Sequence, residues 1–436
     1  MAASIPPSPF DDRPNFDLNL QHGHKDLVLA VAFNTYGDRC ATGSVDGKIR
    51  VFNRHKDGIW RLCDNWSAHG GEVLELQWLS ATIYPNIIAS LGIEGWFCLW
   101  AEDPSAAPGR RFCSGSSRSA SSGTGRPAFS SRSPRSPYRS FSIKHNEENR
   151  HTYLALLATD GRLTVFENEQ PEHLSEYVSI DEFSVCPKPS RGEEVSFKPC
   201  YAALRAGVMT DSLGLVVAGM DTVKVYRSRE IVTTALGVQS SQKEFYPAVE
   251  ITGHRGLVRD VAWAPGNIRG YDMIATACPG WLCRVYRLDT PDSGSDGSWS
   301  VSNLHKPAAD NGDSNESAVA KSGPLEKHSH HSSSLSASLA KSGANGDRVW
   351  AGQPGQVKHT YKEISRLDND RTPIWRVGFD DDGQILGTTG DDGRLLCYRQ
   401  TPDGSWAKSS ELAMMKTRMV APENPLASPG RVLGYG

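Results

Sequence analysis

The sequence predicts an all-β protein, a ring of six four-stranded sheets arranged as the blades of a propeller. The first observation behind this fold class is a repeated unit: a strand of small residues, an Asp-Gly turn and an apolar strand ending in an aromatic residue. The unit occurs as "ATGSVDGKIRVF", which ends at Phe52, and as "GTTGDDGRLLCY", which ends at Tyr398. The second observation is the spacing, about 45 residues for four strands. The third is the scarcity of amphipathic helical patterns.

The first unit shows how each element follows from the residues. Residues 26–34, "DLVLAVAFN", alternate with the period of two that is typical of a half-buried strand. "RCATGS" gives a second strand. Asp46-Gly47 then closes a hairpin into "KIRVF", because Asp-Gly pairs readily adopt the positive φ angles that such turns need. Residues 59–67 supply the fourth strand of the blade.

Five further units follow the same template. The predicted blades span about residues 22–67, 68–103, 135–185, 195–245, 246–290 and 359–415. Two turns depart from the template, with Glu94 in the second unit and Pro279 in the fifth where aspartate is expected. Six imperfect copies together indicate a propeller over residues 15–423 more strongly than any one copy does.

Two polar stretches interrupt the repeats. Residues 104–139 contain seven arginines and no acidic residue, and residues 291–358 are rich in Ser, Gly and His. Neither has enough apolar side chains to offset the entropy of ordering, so we expect both to be disordered insertions between blades. We also expect a flexible N-terminus at residues 1–14 and a tail at residues 424–436.

Composition excludes several classes of protein. The 436 residues carry a formal net charge of −3, which gives no global reason to expect nucleic-acid binding. No apolar run approaches the ~20 residues that span a bilayer, and the N-terminus lacks the pattern of a secretory signal. The nine cysteines form no Cys-x-x-Cys pair. We therefore expect reduced thiols in a cytosolic or nuclear protein.

Motifs for catalysis are missing from the sequence. It has no phosphate-binding Gly-x-x-x-x-Gly-Lys-Ser/Thr loop, no Gly-x-Ser-x-Gly elbow and no His-Glu-x-x-His metal motif. His328, His330 and His331 lie in the second polar stretch, where nothing would orient them around a metal. The sequence therefore predicts a protein that is not an enzyme, with no cofactor, metal or small-molecule substrate.

The polar residues of the repeats resemble those of WD-type blades. In such blades a loop His, a second-strand Ser or Thr, the turn Asp and a third-strand Trp form a hydrogen-bonded set that is structural. In blade one, Thr42 is the alternative to Ser44, and Phe52 takes the Trp position without a donor. The resemblance implies that this role belongs to His24, Ser44, Asp46, His69, Trp100, Asp160, His254 and Asp392.

The order of the blades resembles one WD-repeat family in particular. "HKDLVLAVAFNTYGDRCATGSVDGKIRVF", "KDGIWRLCDNWSAHGGEVLELQW" and the sixth unit "IWRVGFDDDGQILGTTGDDGRLLCYRQTPDGSW" are similar to the Sec-thirteen-homologue (SEH) nucleoporins. This resemblance implies an open propeller of six blades, completed by a blade that an α-helical solenoid nucleoporin donates. It also implies a place among the other nucleoporins of the Y-shaped complex of the nuclear pore.

The ring needs a means of closure between blades six and one. "NFDLNLQH" places Phe16, Leu18 and Leu20 on one face, but a single strand cannot fill the gap of a whole blade. Exposed edges there would favour aggregation, so we expect a partner to add strands at this seam. The residues predicted to bind the partner are Phe16, Leu18, Leu20, Leu27, Val31, Ile374 and Trp375.

Three functions fit these features. The first, which we favour, is a scaffold subunit of the nuclear pore at the nuclear envelope, supporting transport of protein and mRNA. The second is a subunit of an endomembrane coat-like complex, at the vacuolar or lysosomal surface or in a vesicle coat. The third is an RNA-associated protein that acts through the arginines of residues 104–139. Under the favoured function, direct binding to nucleic acid or membrane is not expected.

Overall fold

The chain folds into a β-propeller of six blades. The computed structural model describes residues 20–84, 86–112, 126–202, 212–235, 238–265, 271–278, 280–289, 348, 352, 356–369 and 371–413. In these ranges, 24 strands form six antiparallel sheets of four strands each, and every sheet is a simple meander. The predicted fold class is confirmed in this respect.

The first three blades are formed by twelve strands. Blade one contains β1 (Val28–Phe33), β2 (Arg39–Ser44), β3 (Lys48–Arg54) and β4 (Trp60–Ser67). Blade two contains β5 (Val73–Trp78), β6 (Ile87–Gly92), β7 (Phe97–Ala101) and β8 (Phe129–Ser131). Blade three contains β9 (Tyr138–His145), β10 (Thr152–Ala158), β11 (Arg162–Asn168) and β12 (Val178–Ser184).

The last three blades repeat this arrangement, with longer outer strands in blades four and five. Blade four contains β13 (Phe197–Tyr201), β14 (Gly214–Gly219), β15 (Thr222–Ala235) and β16 (Val238–Ile251). Blade five contains β17 (Asp260–Trp263), β18 (Asp272–Ala277), β19 (Leu282–Asp289) and β20 (Thr360–Asp368). Blade six contains β21 (Ile374–Phe379), β22 (Ile385–Gly390), β23 (Arg394–Gln400) and β24 (Trp406–Ala413).

The first strands of successive blades pack against one another around the centre of the ring, from β1 on β5 to β17 on β21. Every residue of the second strands β6, β10, β14 and β18 is buried, since both faces of these blades are covered. In the second strand of blade six only alternate residues are buried. Among the described residues, the strand packing that links blades one to six is not repeated between blades six and one.

Three blade boundaries differ from the sequence prediction. The outer strand β8 lies inside the predicted insertion, β16 extends into predicted blade five, and β20 belongs to blade five rather than blade six. The polar stretches therefore separate the third and fourth strands of blades two and five, and they do not lie between blades. Outer strands are partly exposed edges with weak alternation, which is why the sequence pattern did not locate them.

The ends of both predicted insertions are fixed on the propeller, contrary to the expectation of disorder throughout. Phe112 is buried and stacks on Trp66, with ring centroids 4.7 Å apart. Arg348 binds the Asp181 carboxylate through two bonds of 2.6 and 2.7 Å. The expectation of disorder used the average composition of each stretch, and an average does not reveal a single aromatic or cationic residue that binds to the propeller. Residues 1–14, residues 424–436, residues 113–125 of the first stretch and most of the second stretch lie outside the described residues.

The cysteines of the described ranges are all free thiols. Burial raises the pKa of Cys40 to about 11 and that of Cys278 to about 11, so these thiols stay protonated and behave as small apolar side chains. No helix in the described part of the chain has the length and hydrophobicity to cross a membrane.

Candidate functional site: the buried polar sets and the seam between blades six and one

Blade two contains a complete hydrogen-bonded set. His69 Nδ1 lies 2.9 Å from Glu94 Oε1, and His69 Nε2 lies 2.8 Å from Ser90 Oγ, which also accepts the Trp100 indole N–H at 2.7 Å. Every bond is satisfied when His69 donates from Nδ1 to Glu94 and accepts at Nε2 from Ser90. Burial raises the pKa of Glu94, but the hydrogen bond and charge of His69 and the bonds from backbone N–H groups together outweigh it and hold the pKa below its usual range. A Cβ on Gly92 would lie 2.5 Å from the His69 ring, so glycine makes room for the set.

Blade one has the same set without its last member. His24 Nδ1 is 3.2 Å from Asp46, and His24 Nε2 is 2.9 Å from Thr42 Oγ1. The prediction named Ser44 as the hydroxyl; Ser44 instead donates to a backbone carbonyl, at 3.2 Å. Thr42 provides the hydroxyl because it has the same place in the second strand as Ser90. Thr42 pairs with Val31 of the inner strand, as Ser90 pairs with its own inner-strand partner. Phe52 is buried in the Trp position, where it has no donor.

Blade five uses a tyrosine in the Trp position. His254 Nε2 lies 3.2 Å from Thr276 Oγ1 and 3.3 Å from the Tyr286 hydroxyl. Burial lowers the pKa of His254 to about 4, so the ring is neutral at physiological pH. The turn residue of this blade, Pro279, lies outside the described residues.

Two predicted members do not belong to such sets in the described residues. Asp160 accepts a hydrogen bond from the Arg162 backbone N–H at 3.2 Å, and Asp392 accepts one from the Arg394 backbone N–H at 3.1 Å. Each aspartate holds its hairpin turn, and neither contacts a histidine. Asp392 therefore takes no part in a histidine-centred set among the described residues, contrary to the prediction. The Asp-Gly pair marks only the turn in the copies that contain it, whereas the histidine comes from a loop that the turn does not specify.

Blade one presents an apolar wall on the side away from blade two. Leu27 is 70% exposed, Leu29 41%, Val31 56% and Phe33 57%. Leu62, on the outer strand, is also exposed and continues this wall. Leu29 and Phe33 were missed in the sequence, although the period of two in "LVLAVAF" places them on the face of Val31.

Blade six presents the opposite wall. Ile385, Gly387, Thr389, Leu395 and Cys397 are partly exposed on one face of β22 and β23, and they line a cavity of about 750 Å³ together with Leu29 and Val31 of blade one. We call the space between these two walls the seam.

The five predicted partner-binding residues besides Leu27 and Val31 have different outcomes. Trp375 is 42% exposed, and its indole N–H donates to Asp391. Ile374 is fully buried between blades five and six, so its predicted role in binding is wrong. Leu20 is half-buried, and Phe16 and Leu18 lie outside the described residues.

A metal centre finds little support in the described ranges. The one group with suitable geometry there is His151, Glu167 and Glu169. Lys243 already binds the Glu167 carboxylate, and its ammonium also donates to the Tyr153 hydroxyl at 2.9 Å. Because the chain itself supplies the positive charge at this carboxylate, the group is an ion-pair network of the protein.

Residues 17–53 match the family described as "WD domain, G-beta repeat". The whole chain is similar to "Nucleoporin SEH1" of Chaetomium thermophilum, with 48% identity over 95% of this chain and 97% of that protein. The chain belongs to the nucleoporin SEH1 family. Nucleoporin SEH1 of Saccharomyces cerevisiae is 26% identical over 87% of this chain and 94% of that protein. For nucleoporin seh1 of Schizosaccharomyces pombe the values are 22%, 87% and 91%. The predicted resemblance to the SEH nucleoporins is thereby confirmed.

Proposed function

We propose that this member of the nucleoporin SEH1 family is a non-enzymatic scaffold subunit of the Y-shaped complex of the nuclear pore. In this function the propeller is an acceptor: an α-helical solenoid nucleoporin inserts a β-segment into the seam and is held there by backbone and side-chain contacts. The observation that carries the proposal is the pair of uncovered apolar walls on blades one and six.

The regular contacts between blades indicate what the seam lacks. Between blades five and six, small side chains of one blade (Ala262, Ala275) receive large side chains of the next (Tyr398, Trp406). Blades one and two meet in the same way, since Gly43 of blade one lies so close to Val73 that a Cβ would approach it to 2.5 Å. Each blade therefore offers a flat face to its successor and a bulky face to its predecessor.

At the seam, one flat face and one bulky face are left without a counterpart among the described residues. Blade six offers its flat face, with Gly387, Thr389 and Cys397, and nothing bulky lies on it among the described residues. Blade one offers its bulky face, with Phe33 and Leu62, and no flat face covers it there. A segment that fits must be bulky toward blade six and flat toward blade one, as a complete blade is.

The backbone edges do not distinguish the seam, because the innermost strand of every blade leaves one edge unpaired. The seam differs from the other blade contacts in its two uncovered sheet faces. An added segment that forms a small sheet would pack face to face on both of them. Covering the apolar walls contributes roughly 25 cal/mol per Å² of apolar surface removed from water.

Affinity purification of the full chain from cells tests this function. We expect an α-helical nucleoporin to be recovered, together with other subunits of the pore. Val31→Lys, which places a charge in the seam, should abolish this recovery, while the matched control Val178→Lys, at a position 66% exposed on the outer strand of blade three, should not.

Loss of the nucleoporin from both variants, or from neither, would contradict the proposed seam. Recovery of endomembrane coat subunits in place of pore subunits would leave the seam intact and assign the chain to the coat function. RNA that is recovered at low salt and released steeply as the salt concentration rises would instead favour the RNA-associated function.

A further inference from the structure

One position of the inner strands carries charged side chains in four of the six blades. In the sheet register, each of these residues pairs with the second-strand residue that comes one position after Ser90 or after the equivalent of Ser90 in its own blade. All four line the cavity of about 750 Å³ that also borders the seam. They are Glu75 in blade two, Lys198 in blade four, Asp260 in blade five and Arg376 in blade six.

Carboxylates at this position bind the inner strand of the following blade. Glu75 accepts the Phe141 backbone N–H at 3.3 Å, and Asp260 accepts the Val377 backbone N–H at 3.0 Å. Glu75 also forms an ion pair with Lys198. A carboxylate here therefore does two things: it caps a free backbone donor of the next blade, and it neutralises a cation of the cavity.

Arg376 occupies this position in blade six, immediately before the seam. Its side chain is exposed, lines the cavity, and makes no hydrogen bond or ion pair within the described ranges. Asp260 is the acidic neighbour, but its oxygens already accept the Val261 and Val377 backbone N–H groups at 3.1 and 3.0 Å. A segment that filled the seam would remove water from the guanidinium, which is costly unless the segment brings an acceptor.

Blade one offers a second donor on the far side of the seam. Val31 pairs with Thr42 as Val377 pairs with Thr388, so Val31 holds the place in blade one that Val377 holds in blade six. The Val377 N–H is capped by the carboxylate of the preceding blade. By the same register, we expect the Val31 N–H to be capped by an acceptor on the segment that lies before blade one in the ring.

We propose that the segment that fills the seam carries an aspartate or glutamate on its innermost strand, which binds the Arg376 guanidinium and caps the Val31 N–H. This inference rests on the proposed function and adds the chemistry by which the partner is selected. An acidic side chain satisfies both donors at once, whereas an apolar or basic one leaves the Arg376 charge buried without a partner.

The test starts from the complex purified with the full chain. Limited proteolysis and mass spectrometry identify the partner segment that the propeller protects, and its dissociation constant is measured with a synthetic peptide of that sequence. Arg376→Glu should weaken binding at least ~30-fold. Lys362→Glu, an equal change of charge at an exposed position on the outer strand of blade five, should change it less than about twofold. Replacing the acidic residue of the peptide by arginine should restore most of the affinity for Arg376→Glu.

Each result decides a different claim. A protected segment without an acidic residue on its innermost strand, or equal binding by Arg376→Glu and Lys362→Glu, overturns this inference and leaves the proposed function standing. Recovery of no protected segment overturns the proposed function and the inference with it. Arg376→Gln, which keeps the size of the side chain, guards against misfolding: it should melt as the wild type does and still bind more weakly.

Discussion

Removal of the Ser90 hydroxyl is expected to destabilise the propeller more than removal of the Thr42 hydroxyl. Ser90 is fully buried and serves two partners, His69 Nε2 at 2.8 Å and Trp100 Nε1 at 2.7 Å. Ser90→Ala leaves both nitrogens buried without a partner. An orphaned buried group costs ~1–3 kcal/mol, so we expect a loss of about 3 kcal/mol in the free energy of unfolding.

Thr42→Val is the matched variant in blade one. Thr42 has a single partner of this kind, His24 Nε2 at 2.9 Å, because Phe52 has no donor to contribute. The isosteric change should therefore cost about half as much, ~1–2 kcal/mol. Trp100→Phe should reduce the hydrogen bonds of blade two to those of blade one, and it adds the cost of the cavity that the smaller ring leaves in the core.

Urea unfolding at neutral pH, followed by tryptophan fluorescence, measures these differences through the transition midpoints at unchanged slope. The reasoning would be refuted by equal losses for Ser90→Ala and Thr42→Val. It would also be refuted by a loss below about 1 kcal/mol for Ser90→Ala, which would mean that the buried partners find other acceptors.

Two further predictions concern pH and the polar stretch of blade two. Because burial lowers the pKa of His254 to about 4 from its ordinary 6.5, the unfolded chain takes up the proton first, and the free energy of unfolding should fall by up to about 3 kcal/mol as the pH drops from ~6.5 toward ~4. His254→Gln should flatten this part of the pH profile. Deleting residues 113–125 should leave the melting temperature within a few degrees. Deleting residues 104–139 should lower it strongly, since Phe112 and β8 are then lost.

The parts of the fold that local patterns determine could be predicted from the sequence. The turn glycines Gly47, Gly161 and Gly393 have φ angles of 74°, 79° and 63°, as Asp-Gly hairpins require. The outer strands β8 and β20 could not be located, because their place depends on pairing with a third strand that is distant along the chain.

The position of the candidate site could be predicted from the sequence, but several of the residues that form it could not. Counting repeats led to the expectation of a site between the last and the first blade, and Leu27 and Val31 are exposed on blade one as that expectation requires. The burial of Ile374 was missed because the bulge between Ile374 and Arg376 breaks the simple alternation of β21. The role of Arg376 needed the register of four inner strands, which a sequence without its sheet does not provide.

Hydrogen exchange on the full chain, alone and in its purified complex, tests the partner-filled seam most directly. Val31 and Phe33 on β1 and Arg376 on β21 are exposed beside the seam. We predict that amides near Leu27–Phe33 and Ile374–Phe379 gain protection when the partner is bound, while those of β10 and β14 are unchanged. Protection confined to blades three and four, or full protection of β1 and β21 in a monomeric free chain, would contradict a seam that a partner completes.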